Sequence, residues 1–200
     1  MIMQRLLLAT RNPGKVREIR ALLSHLPLDI GSLQDLPDPP KMVEDGNTFA
    51  ENARKKAETL FRFTGGMVLA DDSGLEVDIL QGEPGVFSAR YAGEGATDAG
   101  NNAKLLDKLT GVSMHKRTAR FCCAIAVAIP GSKIQVVEGY VRGLIAEEPR
   151  GDQGFGYDPL FLVPAYDKTF AQLSPEIKNG ISHRARALAR AVMVLEKHLS

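Results

Sequence analysis

The stretch of sequence that decides the fold is Leu69-Ala70-Asp71-Asp72-Ser73-Gly74-Leu75. The apolar residues before the two aspartates predict a buried strand, and the Asp-Ser-Gly run that follows predicts a tight turn. Adjacent carboxylates are costly at a strand end, because like charges a few Å apart raise one pKa unless a cation or hydrogen-bond donors share the site. A solvated turn and a functional carboxylate pair are both compatible with this stretch alone.

Composition limits the class of protein. The chain has 200 residues, of which 44% are hydrophobic and 24% charged, as expected for one soluble globular domain spanning 1–200. The formal net charge of +1 argues against nucleic acid as a partner. No apolar run is long enough for a membrane span, and the N-terminus lacks a signal-peptide pattern. Adjacent Cys122 and Cys123 lack metal-ligand spacing, so we expect reduced thiols and a cytoplasmic location.

The N-terminal region predicts a strand, a polar loop and a helix. Residues 5–9 form a short apolar run, Asn12 suits a helix N-cap, and Pro13 suits the first helical position. Such a helix N-terminus binds anions. Lys15 in the first turn opposes the helix dipole, which a bound phosphate would offset. A solvated surface lysine is the alternative. The loop is not a Walker A loop, because it lacks that motif's spaced glycines.

The acidic loop before the second predicted helix contains Glu44. Thr48 and Glu51 match a capping box, so Glu51 is predicted to be structural. Glu44 precedes the cap and is freer to bind a ligand, although a plain surface charge is the alternative. After the aspartate pair, residues 75–79 alternate between apolar and acidic side chains and predict a second, half-exposed strand.

A glycine-rich segment, 151–159, lies between predicted strands. Glycine lets the backbone approach a ligand closely, and Phe155 between two glycines is placed to stack on a planar ring. An ordinary flexible hairpin is the alternative. Further on, Ser174 and Pro175 start a short helix, and Ser182 caps the last one. His183 and Arg184 begin that last helix, where side chains can point into a cleft although their charge opposes the dipole.

These features together suit a nucleotide. Cationic donors suit phosphates, an aromatic ring suits a base, and paired carboxylates suit Mg²⁺, which takes one or two carboxylates plus substrate phosphates and water.

The chain resembles the inosine triphosphate pyrophosphatase family, the XTP/dITP diphosphatases, over nearly its whole length. The resemblance is carried by six motifs in order: Thr10-Arg11-Asn12-Pro13-Gly14-Lys15, Thr48-Phe49-Ala50-Glu51-Asn52-Ala53, Ala70-Asp71-Asp72-Ser73-Gly74-Leu75, Ser88-Ala89-Arg90-Tyr91, Gly154-Phe155-Gly156-Tyr157-Asp158-Pro159 and Ile181-Ser182-His183-Arg184.

The resemblance implies an α/β fold with a long twisted mixed β-sheet flanked by helices, two lobes around a central nucleotide cleft, and a homodimer. It implies Mg²⁺-dependent hydrolysis of ITP, dITP and XTP to the monophosphate and pyrophosphate, which cleanses the nucleotide pool. Asp72 would be the catalytic carboxylate and a metal ligand, with Glu44 as a second ligand. Substrate contacts would be Thr10, Arg11, Asn12, Pro13, Gly14, Lys15, Ser73, Phe155, Gly156, Tyr157, Asp158, Lys178, His183 and Arg184.

Two other functions stay open from the sequence. One is a Maf-like pyrophosphatase for pyrimidine or modified nucleotides, and the other is a nucleotide-binding module without turnover. The division of roles between Asp71 and Asp72 is also open, with Asp72 as the hypothetical proton acceptor and Asp71 as an inward-facing support.

Overall fold

The computed structural model describes residues 3–199. Its strands are β1 (Gln4–Leu8), β2 (Leu28–Ser32), β3 (Met67–Val77), β4 (Thr118–Ala128), β5 (Gln135–Ile145), β6 (Phe161–Val163) and β7 (Lys168–Thr169). Its α-helices are α1 (Pro13–Leu22), α2 (Phe49–Thr64), α3 (Asp98–Lys108), α4 (Pro175–Ile181) and α5 (His183–Leu199).

The strands form one mixed sheet in the order β2-β1-β3-β4-β5-β6-β7. Strand β1 is parallel to both β2 and β3, with Leu8 opposite Leu69, whereas β5, β6 and β7 pair antiparallel. The parallel pairs require crossover connections, and helices α1 and α2 lie in the connections that leave β1 and β2. The prediction of an α/β fold with a mixed sheet flanked by helices is confirmed.

The described chain divides into two compact units. Unit 1 consists of the described residues up to Asp72, Cys123–Gly139 and the residues from His183 onward, and unit 2 consists of Ser73–Cys122 and Tyr140–Ser182. The division therefore falls within β3, between the two halves of the acidic motif. The expectation of a single domain over 1–200 stays a prediction.

Each unit has its own apolar core. In unit 1, side chains of β1, α1, β3, β4 and α5 bury one another, among them Leu8, Ile19 and Leu188. In unit 2 an aromatic group fills the centre, because the rings of Phe121 and Phe161 lie 4.6 Å apart and those of Phe161 and Phe170 lie 5.1 Å apart. Within residues 3–199, the helices are too short or too polar to span a membrane.

The tight turn predicted at residues 71–74 is wrong, because β3 continues through the acidic motif to Val77. Leu75 and Val77, predicted to begin a separate strand, belong to the same strand, and Ile79 lies in a short 3₁₀ helix, Asp78–Leu80. A turn is not needed to hydrate the two carboxylates. Successive side chains of a strand point to opposite faces, and cations of unit 1 meet each carboxylate on its own face.

Other local predictions are confirmed. Helix α1 begins at Pro13 with the Asn12 side chain accepting from the Lys15 N–H, and α2 begins after a Thr48 cap. Glu51 is structural as predicted, although its carboxylate accepts from the Asn47 N–H rather than from that of the cap residue. The Ser174 cap precedes Pro175 in α4, and the glycine-rich segment is a loop between β5 and β6.

We predict that Gly139→Ala destabilises unit 1. A β-carbon at Gly139 of β5 would lie 2.5 Å from the His183 carbonyl oxygen and closer still to the Ala187 nitrogen, both backbone atoms of α5. Helix α5 would have to move, and such overpacking typically lowers the unfolding free energy by about 1–3 kcal/mol. Thermal denaturation measures the change. The control is Gly66→Ala, where a β-carbon meets nothing within 4 Å, and equal stability of the two variants would contradict the prediction.

Candidate active site

The two aspartates of β3 have separate surroundings in unit 1. Because they are consecutive in a strand, their side chains leave the sheet on opposite faces. Asp71 points to the side of α1 and α5, where it contacts Lys15 and Arg184. Asp72 points to the side of α2, where it contacts Lys56. The alternation of the strand thus gives two adjacent carboxylates different environments.

Asp71 is a fully buried carboxylate held by two cations. Its Oδ1 lies 2.5 Å from the Lys15 Nζ, and its Oδ2 accepts from the Arg184 Nε at 2.8 Å. The Cys123 thiol also donates to Oδ2, at 3.1 Å. Burial by itself would raise the pKa of Asp71, but Arg184 and Lys15 hold that pKa well below its usual range. Asp71 is therefore ionised and serves as an anionic support for both cations.

Arg184 is almost fully buried and is shared by two carboxylates. Its side chain is 1% exposed, and its Nη1 forms an ion pair with Glu18 of α1 in addition to the contact of its Nε with Asp71. Burial disfavours the charged guanidinium, yet Asp71 and Glu18 raise the pKa of Arg184. The result is a chain of alternating charges, from Lys15 through Asp71 and Arg184 to Glu18, which links α1, β3 and α5.

Asp72 is organised by a lysine that the sequence analysis did not select. The Lys56 Nζ donates to Asp72 Oδ1 at 2.9 Å, to Glu44 Oε1 at 2.7 Å and to the Asp71 carbonyl oxygen at 2.7 Å. The Asn52 amide donates to Asp72 Oδ2 at 3.1 Å. Burial raises the pKa of Asp72 above its ordinary value, although Lys56 and Lys15 oppose that rise. Asp72 is therefore a better proton acceptor than a solvated aspartate.

Glu44 and Asp72 converge on the same ammonium group, so the predicted pair of metal ligands is brought together in unit 1. Lys56 is 3% exposed, and its pKa is raised by Asp72 and Glu44 against the effect of burial. Among residues 3–199, no three His, Cys, Asp or Glu side chains form a cluster suited to a metal ion. Two carboxylates still fit Mg²⁺, whose remaining ligands are commonly water and substrate phosphates.

The loop before α1 is built as an N-terminal cap. The Thr10 hydroxyl accepts from the Asn12 N–H, and the Asn12 side chain accepts from the Lys15 N–H, both at 3.1 Å. Residues 11–13 are exposed, and Gly14 is buried. The Lys15 side chain lies against Asp71, which offsets its unfavourable position in the helix dipole without a ligand.

The aromatic loop and Lys178 belong to unit 2. Asp158 is buried, and its Oδ2 accepts from the Phe155 N–H at 2.9 Å and from the Lys178 Nζ at 2.5 Å. The Lys178 ammonium also lies 5.1 Å from the centre of the Phe155 ring. Tyr157 is buried and donates to the Ser88 carbonyl oxygen at 2.8 Å, and burial raises its pKa. The predicted residues of this loop are thus brought together, with Lys178 paired to Asp158.

Two of the remaining predicted site residues flank unit boundaries. Ser73 is half-buried and is the first residue of unit 2 in β3, whereas His183 is buried at the start of α5 in unit 1.

Four residues of the site were missed by sequence reasoning: Asn52, Lys56, Glu18 and Cys123. Position 56 did carry a usable pattern, because it lies on the apolar face of α2 with Ala53, Ala57 and Leu60, all of them buried. A lysine at such a position requires a buried anion as partner. Cys123 and Glu18 had no comparable pattern, since a cysteine in an apolar strand and a glutamate in a helix are both ordinary.

The fold and the site define a class: α/β proteins with a mixed seven-stranded sheet, one strand of which carries a carboxylate pair held by lysines. A model of the Ham1 family matches residues 6–194, and the chain belongs to that family. It is 57% identical to the dITP/XTP pyrophosphatase of Geobacillus kaustophilus over 188 aligned residues, which cover 94% of this chain and 92% of that protein. It is 50% identical over 196 residues to the dITP/XTP pyrophosphatase of Bacillus subtilis, which spans 98% of this chain and 99% of that protein.

Solved structures agree with the sequence relatives. The Staphylococcus aureus Ham1 protein superposes with a TM-score of 0.86 at 41% identity, covering 98% of this chain and all of that chain. A HAM1 protein from Coxiella burnetii gives a TM-score of 0.87 at 42% identity with the same coverage. These matches confirm the family resemblance stated from the sequence motifs.

We predict that Asp71→Asn destabilises the fold, because it removes the charge that Lys15 and Arg184 share. Breaking a buried ion pair from one side typically lowers the unfolding free energy by about 3–5 kcal/mol. Urea unfolding at about pH 7 measures the loss. The control is Asp107→Asn on the exposed face of α3, where we expect a change of about 0.5 kcal/mol or less.

The difference in unfolding free energy between the wild type and Asp71→Asn depends on pH with a defined sign. Since the pKa of Asp71 is lowered in the folded state, its ionised form stabilises the fold above the unfolded pKa of about 3.9, and that contribution is lost as pH falls through the folded value. The stability gap between the wild type and Asp71→Asn should therefore narrow below about pH 4. A gap that stays constant into strong acid would contradict the assignment of Asp71 as an ionised support.

Proposed function

We propose that this protein hydrolyses the non-standard purine nucleoside triphosphates ITP, dITP and XTP to the monophosphate and pyrophosphate. The proposal is carried by one observation: Glu44 and Asp72 converge on the Lys56 ammonium in unit 1. A site that only bound nucleotide would not need a buried carboxylate with a raised pKa beside a second carboxylate. The proposal is supported by relatives of 50–57% identity that are named dITP/XTP pyrophosphatase.

Asp72 is the proposed proton acceptor. A water oxygen forms the new bond to the α-phosphorus while the bond from that phosphorus to the bridging oxygen breaks, so pyrophosphate leaves. The proton lost by the water passes to Asp72. A carboxylate serves best as a base when its pKa rises toward the working pH, and burial moves the pKa of Asp72 in that direction. Lys56 and Asn52 act as positioning residues that fix both Asp72 oxygens.

Glu44 and Asp72 are the proposed ligands of Mg²⁺. The donor set consists of carboxylate oxygens, which Mg²⁺ prefers, and one or two carboxylates suffice when the substrate supplies phosphate oxygens. When bound, the ion would neutralise phosphate charge and lower the pKa of the attacking water. Lys56 already holds both carboxylates at one point, so the ligands are preorganised by the chain itself.

The loop Thr10–Lys15 is the proposed phosphate site. The N-terminus of α1 presents the positive end of its dipole to this loop, and Asn12 fixes the loop by capping. Lys15 brings a positive charge to the first turn, and Asp71 holds its ammonium in place. An ammonium has three N–H donors, so one ion pair leaves donors for a phosphate.

The proposed base contacts involve side chains that already form ion pairs within the protein. In unit 2, the Phe155 ring is the proposed stacking face. Asp158 accepts from the Phe155 N–H, and the Lys178 ammonium lies over the ring. In unit 1, His183 and Arg184 are proposed to donate to the 6-oxo group that hypoxanthine and xanthine carry and adenine lacks. Such polar matching can reject an analogue by roughly 10⁴. Three nitrogens of Arg184 already contact carboxylates, so its part in base selection stays a prediction.

We further propose a cytoplasmic location, a homodimeric state and one catalytic domain, as the family resemblance implies. Sedimentation of the purified protein tests the homodimer directly.

We predict that the purified protein releases pyrophosphate from ITP, dITP and XTP, and that removal of Mg²⁺ with a chelator abolishes the release. ATP, whose adenine lacks the 6-oxo group, should be a much poorer substrate, and UTP and dTTP should be inert; GTP, which carries that group, is measured in the same panel. A coupled pyrophosphate assay measures all of them at one concentration. Preference for UTP or dTTP would favour the Maf-like alternative, and nucleotide binding without any release would favour a non-catalytic module.

We predict that Asp72→Asn lowers kcat for ITP by about 10²–10⁴, because an amide does not accept the proton from water. Lys56 keeps Glu44 and the Asp71 carbonyl oxygen as partners in this variant, so circular dichroism should show an unchanged fold. The control is Asp45→Asn, which removes an exposed carboxylate paired with Lys55 in the same unit and should leave kcat unchanged. Near-normal turnover of folded Asp72→Asn would exclude Asp72 as the base.

A further inference from the structure

Helix α3 of unit 2 holds the aromatic loop at a single residue. Asp98 Oδ2 accepts from the Gly156 N–H at 2.6 Å, and Asn102 Nδ2 donates to the Gly156 carbonyl oxygen at 3.1 Å. Asp98 and Asn102 are four positions apart, so their side chains project from the same face of the helix. One helix therefore binds both backbone polar groups of one glycine.

The loop has little conformational preference of its own. Gly154 and Gly156 flank Phe155, and both have left-handed backbones, with φ of 81° and 62°. Holding glycine in one of these conformations costs entropy, because without contacts it is free to adopt many others. The position of Phe155 therefore depends on hydrogen bonds from outside the glycine pair. Asp158 supplies one of them at the Phe155 N–H, and α3 supplies the two at Gly156.

The burial of Asn102 on α3 indicates that its hydrogen bond to Gly156 matters for the structure. Asn102 is 8% exposed, and its Oδ1 is buried without a hydrogen-bond partner among the described residues. A buried amide with an unsatisfied acceptor costs stability, and an apolar side chain would avoid that cost. What the amide provides is its bond to Gly156.

Asn101 makes contacts of the same kind with a second segment, which runs from the end of a 3₁₀ helix, Gly85–Arg90, to Ala92. Its Oδ1 accepts from the Ala92 N–H at 2.8 Å, and its Nδ2 donates to the Ala89 carbonyl oxygen at 3.3 Å. In the same segment, the Ser88 carbonyl oxygen accepts from the Tyr157 hydroxyl. Two consecutive asparagines of α3 thus fix two segments of unit 2, and Tyr157 connects them.

We propose that Asp98 and Asn102 are positioning residues that fix the Gly156 peptide, and through it the Phe155 ring, and thereby set the affinity for a purine base. The inference rests on the proposed function of Phe155 as a stacking face. Neither residue needs to touch the nucleotide. Their effect should therefore fall on binding of the base, while the proton transfer at Asp72 is left unchanged.

The experiment compares Asp98→Ala, Asn102→Ala and the conservative Asp98→Asn with the wild type. We expect the alanine variants to raise KM for ITP by about tenfold, the effect expected from losing one hydrogen bond to a charged or buried group, with kcat changed by less than about threefold. Asp98→Asn retains an acceptor oxygen and should recover most of the affinity. The matched control is Asp107→Ala, an exposed aspartate of the same helix, with wild-type KM.

A second measurement separates this inference from the proposed activity. The dissociation constant of IMP, measured by titration calorimetry, should rise in the alanine variants by the same factor as KM. A wild type that binds IMP but releases no pyrophosphate would overturn the proposed activity and leave the positioning role testable by binding alone. Alanine variants that match Asp107→Ala in KM and in IMP affinity would overturn the positioning role. Loss of kcat at constant KM, or failure of both alanine variants to fold, would also overturn it.

Discussion

The buried carboxylate of Asp71 is the interaction on which unit 1 depends. It lies on the interior strand β3 and binds a lysine of α1 and an arginine of α5 at once. A guanidinium that is 1% exposed is tolerable only with anionic partners, and Asp71 together with Glu18 supplies them. The same carboxylate neutralises Lys15, which would otherwise oppose the dipole of α1. The positions of the proposed phosphate loop and of the start of α5 are thereby fixed relative to one strand.

Strand geometry assigns different properties to two neighbouring aspartates. A pair of carboxylates in a turn would share one environment and repel each other. In β3 they face opposite sides of the sheet, and each side has its own cations. Asp71, with two cations and no exposure, has a lowered pKa, whereas burial dominates at Asp72 and raises its pKa. The first is suited to structural support and the second to accepting a proton, which supports the proposed division of roles between them.

In unit 2 the structural requirement is to position an aromatic ring, because its proposed base-binding loop is rich in glycine. Close approach to a ligand favours glycine, yet glycine leaves the aromatic ring poorly positioned. On α3, the exposed Asp98 and the buried Asn102 fix the backbone at Gly156, and Asp158 fixes it at Phe155. The family relationship, with 50–57% identity to proteins named dITP/XTP pyrophosphatase, supports the activity, whereas the structure accounts for how the side chains that would perform it are held.

The sequence by itself determined the α/β class, the capped starts of α1 and α2, the glycine-rich loop and the family, because these depend on local chemistry: an Asn-Pro start, a Thr cap, runs of apolar residues and ordered motifs. Only the tertiary structure decided that β3 runs straight through the acidic motif, that Lys56 joins Glu44 to Asp72, and that Glu18 binds Arg184. These pairs lie 12 to 166 residues apart in the chain. Local propensity at Asp-Ser-Gly favours a turn, and it was overridden because distant cations compensate the charges within the strand. No local pattern contains that information, since the partners meet only when the helices pack on the sheet.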